Sequence, residues 1–231
     1  MTTTELGYRD LPGLLSRMTG DEKHSAAATS TLDVLWVLYD SVLAVEPRTA
    51  DHPDRDRFLL SKGHGPMAYY AVLAAKGFLD PAELPRWTAF DSPLGQHPDR
   101  TLVPGVEIGS GSLGHGLPLA LGTAFGLRAR GRRRPRVVVL VGDAELDEGS
   151  NHEAIAVAGR RGLGSLTAVV VDNASSSHGW PGGVEQRFVR EGWRGHVVDG
   201  RDHDSLHRAL TDTRTDQPLV VVARVEPKEP R

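Results

Sequence analysis

The chain has 231 residues and a mass of 25.0 kDa, enough for one large domain with a full core. Its 27 Lys and Arg stand against 30 Asp and Glu, a net charge of -3, so there is no electrostatic reason to expect nucleic acid or an anionic membrane as partner. It has no cysteine, which excludes disulfides, thiolate metal sites and a cysteine nucleophile; with no apolar run of the roughly eighteen residues that span a bilayer, and no signal-peptide pattern in MTTTELGYRD, the expectation is a cytoplasmic protein without a membrane partner.

In chain order, LPGLLSRM reads as helix, followed by a longer one from His24 to Val45 on the spacing of Leu32, Leu35, Trp36, Tyr39 and Val42. FLLSKGHGP leads into a helix from Met67 to Lys76 closed by Gly77, and Pro81 suits the first turn of a helix over Ala82 to Phe90. DSPLGQHPDRTLVPGVEIGSGSLGHG is a long Gly/Pro-rich loop, and loops of that length between confident elements are commonly functional. From Leu117 the pattern alternates: a small-residue helix, an apolar strand Val137 to Val141, a helix Asn151 to Arg161, a strand Leu166 to Val171, a strand His196 to Val198, a helix Asp204 to Thr211 and a strand Leu219 to Ala223, with EPKEPR as a frayed tail. Strands apolar on both faces and alternating with helices predict α/β architecture, a doubly wound and mostly parallel sheet covered on both sides. The whole chain, 1–231, reads as one domain with a helical N-terminal region over about 1–90 and a βα core over about 110–225.

Asp143 follows one strand directly, and Asn173, thirty positions later, follows the next. In a βαβ unit both side chains reach the crevice where open α/β sheets bind ligands. A carboxylate, an amide oxygen and a loop carbonyl are hard oxygen donors suited to Mg²⁺, and the small Gly142 and Ala144 let a diphosphate approach the backbone. That pattern reads as metal-bridged diphosphate binding; Asp143 also reads as a plain N-cap. Other positions carry a second reading too: Glu148 as a first-turn glutamate, Gly111 and Gly114 as turn glycines, His24 and His97 as surface histidines. The run from Arg128 to Arg136 falls between a helix and a strand and reads as a solvated turn with cations at a helix C-terminus.

GDAELDEGSNHEA followed by VVVDN resembles the thiamine diphosphate signature in its transketolase form. Three further segments match that family in order: DRFLLSKGHG its cofactor-contacting histidine segment, GQHPD its G-H-P loop, GSGSLGHG its G-P-L-G-Q-G loop. The resemblance spans roughly His24 to Ala223. It implies the thiamine diphosphate-binding fold of the diphosphate type, with Mg²⁺ (or Ca²⁺ or Mn²⁺) held by Asp143, Asn173 and the main-chain carbonyl of Ser175. It implies that His64, Gly142 and Ala144 approach the cofactor diphosphate, that Gly111, Ser112 and Leu113 line its aminopyrimidine side, and that Glu148 joins a carboxylate network towards a partner chain. His24 and His97, with His64, match the catalytic histidines that contact substrate and assist proton transfer.

The chain departs from the family at Ala144, which stands where the signature has its second glycine, in EKHSAAAT around His24, and in NASSSHG, where Ser176 and Ser177 replace apolar residues expected against the thiazolium ring. These 231 residues contain no segment resembling the family's pyrimidine-binding domain, so the resemblance implies, as an expectation, the N-terminal subunit of a split transketolase. That enzyme would move a two-carbon ketol unit from a ketose to an aldehyde, completed by a separately encoded pyrimidine-domain chain in a two-plus-two heterotetramer. The alternatives are one chain of a thiamine diphosphate-dependent 2-oxo acid decarboxylase or lyase, and a non-catalytic scaffold.

Overall fold

The computed structural model of the chain describes residues 6–19, 25–214 and 216–227, with the backbone only for 25–28. His24 and the end of the EPKEPR tail lie outside the described residues. Five strands form one sheet in the order β1-β2-β3-β5-β4: β1 (Arg57–Leu60), β2 (Val137–Gly142), β3 (Leu166–Asp172), β4 (Arg194–Asp199) and β5 (Leu219–Arg224). Every pairing is parallel. The helices are α1 (Leu11–Leu15), α2 (Ser25–Val37), α3 (Met67–Ala75), α4 (Gly116–Ala129), α5 (Gly149–Arg160), α6 (Val184–Val189) and α7 (His203–Thr211).

Because side chains alternate along a strand, the same five strands feed two cores. Phe58, Leu60, Val138, Leu140, Val169, Val171 and Val221 pack with α1, α2, α3 and α7, while Leu59, Val139, Val141, Ala168, Val170 and Val222 pack with α4, α5 and α6. The crossover from β2 to β3 uses α5 on one face, and the return from the edge strand β4 to β5 uses α7 on the other. Reversing direction and face together keeps both crossovers right-handed. Among the described strands, β4 alone is not mostly buried, as its edge position dictates.

Four elements differ from the sequence expectation, the first being α6, since no helix was expected between β3 and β4. β1 lies inside the stretch read as helical, and its four residues are too few to carry a period of their own. The segment expected to be helical from Ala82 to Phe90 is a 3₁₀ turn over Pro81–Arg86. Pro85 inside it lacks an N–H and clashes with the preceding turn, which stops an α-helix. The long first helix ends as α at Val37 and continues as a π turn over Leu38–Val42. Among the described residues no helix is long and apolar enough to cross a membrane.

Asp56 ties the start of β1 to β2. Only 4% exposed, it accepts hydrogen bonds from the Ala44 N–H (2.9 Å) and the Arg136 N–H (2.7 Å), and from the Arg136 guanidinium at 2.9 and 3.1 Å. Removing one partner of such a pair leaves an uncompensated charge. Asp56→Ala is expected to cost about 3 kcal/mol, read as a lower urea midpoint with an unchanged slope.

Candidate functional site

β2 and β3 end level, with Gly142 in register with Val171 and the Asp143 N–H donating to the Val171 carbonyl at 3.1 Å. Asp143 is 1% exposed, so its carboxylate must find partners. It finds them in the loop after β3: Ser175 N–H at 2.6 Å, Ser175 hydroxyl at 2.6 Å and Ser176 N–H at 3.0 Å. Asp143 does stand before the 3₁₀ turn Ala144–Asp147, but its side chain makes no capping bond. The N-cap reading therefore fails. Ala174, between Asn173 and Ser175, sits in the left-handed region at φ 55°, a conformation that costs a residue with a Cβ roughly 1–2 kcal/mol. This bend turns Ser175 back onto Asp143.

The other motif loops converge on this end of the sheet through glycines. A Cβ on Gly63 would collide with Ser110, and one on Gly116 with Ser61, so α4 starts against the tip of β1. At Gly111 (φ 127°) a Cβ would lie 2.7 Å from the His97 ring, and at Gly114 (φ 83°) 2.8 Å from Glu148 Cβ. The rings of His64 and His97 are 6.2 Å apart between centroids, both exposed, with Gly111, Ser112 and Leu113 exposed beside them. Lys62 packs over Gly142. Glu148 is exposed at the N-cap position of α5 and makes no capping bond. Thus the structure gathers His64, His97, Gly111, Ser112, Leu113, Gly142, Asp143, Ala144, Glu148, Asn173 and Ser175 at one edge, while His24 lies outside the described residues.

Two carboxylates here were missed by the sequence reading. Asp147 accepts from the Ser176 hydroxyl (2.9 Å), the Ser177 N–H (2.9 Å) and the His178 N–H (3.4 Å). Desolvation pushes its carboxyl up, but these hydrogen bonds outweigh that and hold it below the usual 3.8. The Ser176 hydroxyl, expected to face a thiazolium ring, is engaged on Asp147 instead. Glu145 is 1% exposed and takes the Ser61 hydroxyl and the Gly114 N–H (3.0 Å) on one oxygen, while its other oxygen is buried without a partner. The available signal was the acid at every second position of 143, 145 and 147.

The donor set has one orphan: Asn173 Oδ1 is buried and has no hydrogen-bond partner. An ionised carboxylate offers roughly four lone-pair sites, and Asp143 uses three of them on the β3 loop. One remaining site on Asp143, and an unpartnered amide oxygen in the loop that Asp143 holds, fit a cation that brings its own water and phosphate ligands. Among the described residues no three His, Cys, Asp or Glu side chains form a metal cluster, and none is required by this donor set.

Residues 18–225 match the family model described as "Transketolase, thiamine diphosphate binding domain". The chain belongs to that family. It is 60% identical over 222 residues to the protein named Ferredoxin fas2 from Rhodococcoides fascians, covering 96% of this chain and 73% of that one. It is 35% identical over 207 residues to a protein from Actinobacillus succinogenes named as one subunit of apulose-4-phosphate transketolase, covering 87% and 75%. With no cysteine, this chain has no thiolate for an iron–sulfur cluster of the kind the first name denotes. Among solved structures, transketolase from Campylobacter jejuni superposes with a TM-score of 0.78 at 22% identity over 94% of this chain, and that from Leishmania mexicana with 0.72 at 25% over 89%. This chain spans 37% of each of those two.

Burial pushes the Glu145 carboxyl above its usual 4.5, against the lowering by the Ser61 and Gly114 hydrogen bonds, the nearby Gly142 backbone and the charge of Lys62. The native state then holds a proton that the unfolded chain releases, so stability falls as pH rises from 4.5 through the native value and is level above it. Glu145→Gln is expected to remove that decline, seen as a flatter melting temperature against pH than in the wild type.

Proposed function

We propose that the chain is the diphosphate-binding subunit of a two-chain transketolase, moving a two-carbon ketol unit from a ketose donor to an aldehyde acceptor. The observation that carries the proposal is the pairing of Asp143 with the β3 loop beside the unpartnered Asn173 Oδ1. In this reading Asp143, Asn173 and the Ser175 carbonyl hold Mg²⁺, and Gly142, Ala144 and His64 receive the diphosphate. Gly111, Ser112 and Leu113 line the aminopyrimidine side. When bound, thiamine diphosphate supplies the carbanion chemistry. The exposed His64 and His97, together with His24, orient the sugar hydroxyls and hold or move protons on substrate oxygen, a role suited to imidazole near neutral pH.

A separately encoded pyrimidine-domain partner, in a two-plus-two assembly, closes the site. Support comes from the Actinobacillus succinogenes relative, whose name makes it one chain of a multi-chain enzyme, and from apolar side chains left open beside the loops. Leu113 is 51% exposed and Leu119 47%, and Glu148 is exposed at the same end of the sheet.

The test is calorimetry with thiamine diphosphate and Mg²⁺ on the chain copurified with its partner, together with a ketol-transfer assay. Asp143→Ala is expected to weaken cofactor binding at least a hundredfold, about 2.7 kcal/mol, and to abolish transfer. Asn173→Ala removes an oxygen with no protein partner, so it should keep the fold and still raise the Mg²⁺ requirement roughly tenfold. Undiminished transfer in both variants overturns the assignment.

A further inference from the structure

At the opposite edge of the sheet, below the starts of β2 and β3, six arginines line one cavity of 390 Å³: Arg128, Arg132, Arg133, Arg134, Arg136 and Arg214. They come from the end of α4, the loop before β2 and the loop before β5, and the turn after α5 closes the floor. Among the described residues no carboxylate lines the cavity. Two of the arginines are matched from outside it, Arg132 by Asp54 at 2.5 Å and Arg136 by Asp56 at 2.9 Å, and Arg128 donates to the Arg161 carbonyl at 3.1 Å. Arg133, Arg134 and Arg214 make no ion pair among the described residues, and the hydroxyls of Ser165 and Thr213 share the lining.

The sequence suggests a solvated turn here, and Arg128, Arg133, Arg134 and Arg214 are exposed. The fold also brings the distant Arg214 up to the run between α4 and β2, concentrating positive charge in a chain whose net charge is -3. Like charges held together repel unless an anion joins them. Guanidinium groups bind phosphate oxygens in bidentate, charge-assisted pairs. The volume falls within the roughly 300–1,000 Å³ range of small-molecule pockets, and a concavity of this size suits a compact polyanion better than a protein face or a nucleic acid backbone.

We propose that this cavity binds a small polyphosphate, either the triphosphate of a nucleotide or an inorganic one, at an edge of the sheet remote from Asp143. The test is calorimetry on the full chain without divalent metal, using tripolyphosphate, ATP and adenosine as probes. One molecule of tripolyphosphate or ATP should bind per chain, more weakly at high salt, and adenosine should not bind. Binding of both probes assigns recognition to the phosphate chain, and binding of ATP alone assigns it to a nucleotide. Replacing Arg133, Arg134 and Arg214 together by Ser should weaken binding by about tenfold per arginine and leave the melting temperature unchanged. Arg48→Ser, in an exposed pair with Glu46 elsewhere, should leave binding unaltered. The proposal is overturned if neither phosphate probe binds, if the triple variant binds as well as the wild type, or if Arg48→Ser weakens binding equally.

Discussion

The buried Asp143 carboxylate is the constraint from which the rest of the site follows. A carboxylate at 1% exposure carries a desolvation cost of several kcal/mol, tolerable only where charge-assisted hydrogen bonds replace water. The chain within reach is the loop after β3, and it is within reach because β2 and β3 are neighbouring parallel strands that end level. Meeting the carboxylate with two N–H groups and a hydroxyl forces the loop to bend at Ala174. The strained backbone of one residue is stabilised by the ion it serves. The same bend leaves Asn173 Oδ1 buried and without a partner, which turns a folding constraint into a place for a cation.

Close approach of backbone does comparable work in the surrounding loops. Residues 91–115 contain no α-helix or strand, so their position is set by what they pack against. Glycines at 63, 111, 114 and 116 each occupy space in which a Cβ would collide with a neighbouring loop. Glu145 fastens the same region from beneath, joining Ser61 at the end of β1 to the Gly114 amide. Two chain-distant histidines reach adjacent positions through this packing.

The helix termini meet different charge at the two ends of the strands. α4 and α5 both begin at the Asp143 edge and end at the other, so their positive N-terminal poles face the acids at 143, 145, 147 and 148 while their C-terminal poles face arginines. The macrodipole favours that arrangement at both ends. It also separates a site rich in carboxylates and backbone N–H groups from one rich in guanidinium, and the two suit different ligands.

Much of this was legible in the chain itself. Runs such as VVVLVG and LTAVVVD are apolar at nearly every position, which leaves a parallel strand covered on both faces as their stable use, and the thirty-residue spacing of Asp143 and Asn173 matches one βα step. The spacing also located the crevice, because consecutive parallel strands place their ends at the same edge. Linear pattern did not reveal β1, whose four residues have no detectable period, or the breaking of a helix by Pro85, or the roles of Glu145 and Asp147. Nor did it reveal that Arg214 joins the arginines before β2. Those outcomes depend on which segments become neighbours: a hydrogen bond from Ser61 to Glu145, or a shared cavity between residues 128 and 214, is a contact across long stretches of chain. Local periodicity and spacing determine which elements form and where their ends point; the burial of polar groups, and the partners they must then find, is decided only when the sheet is assembled.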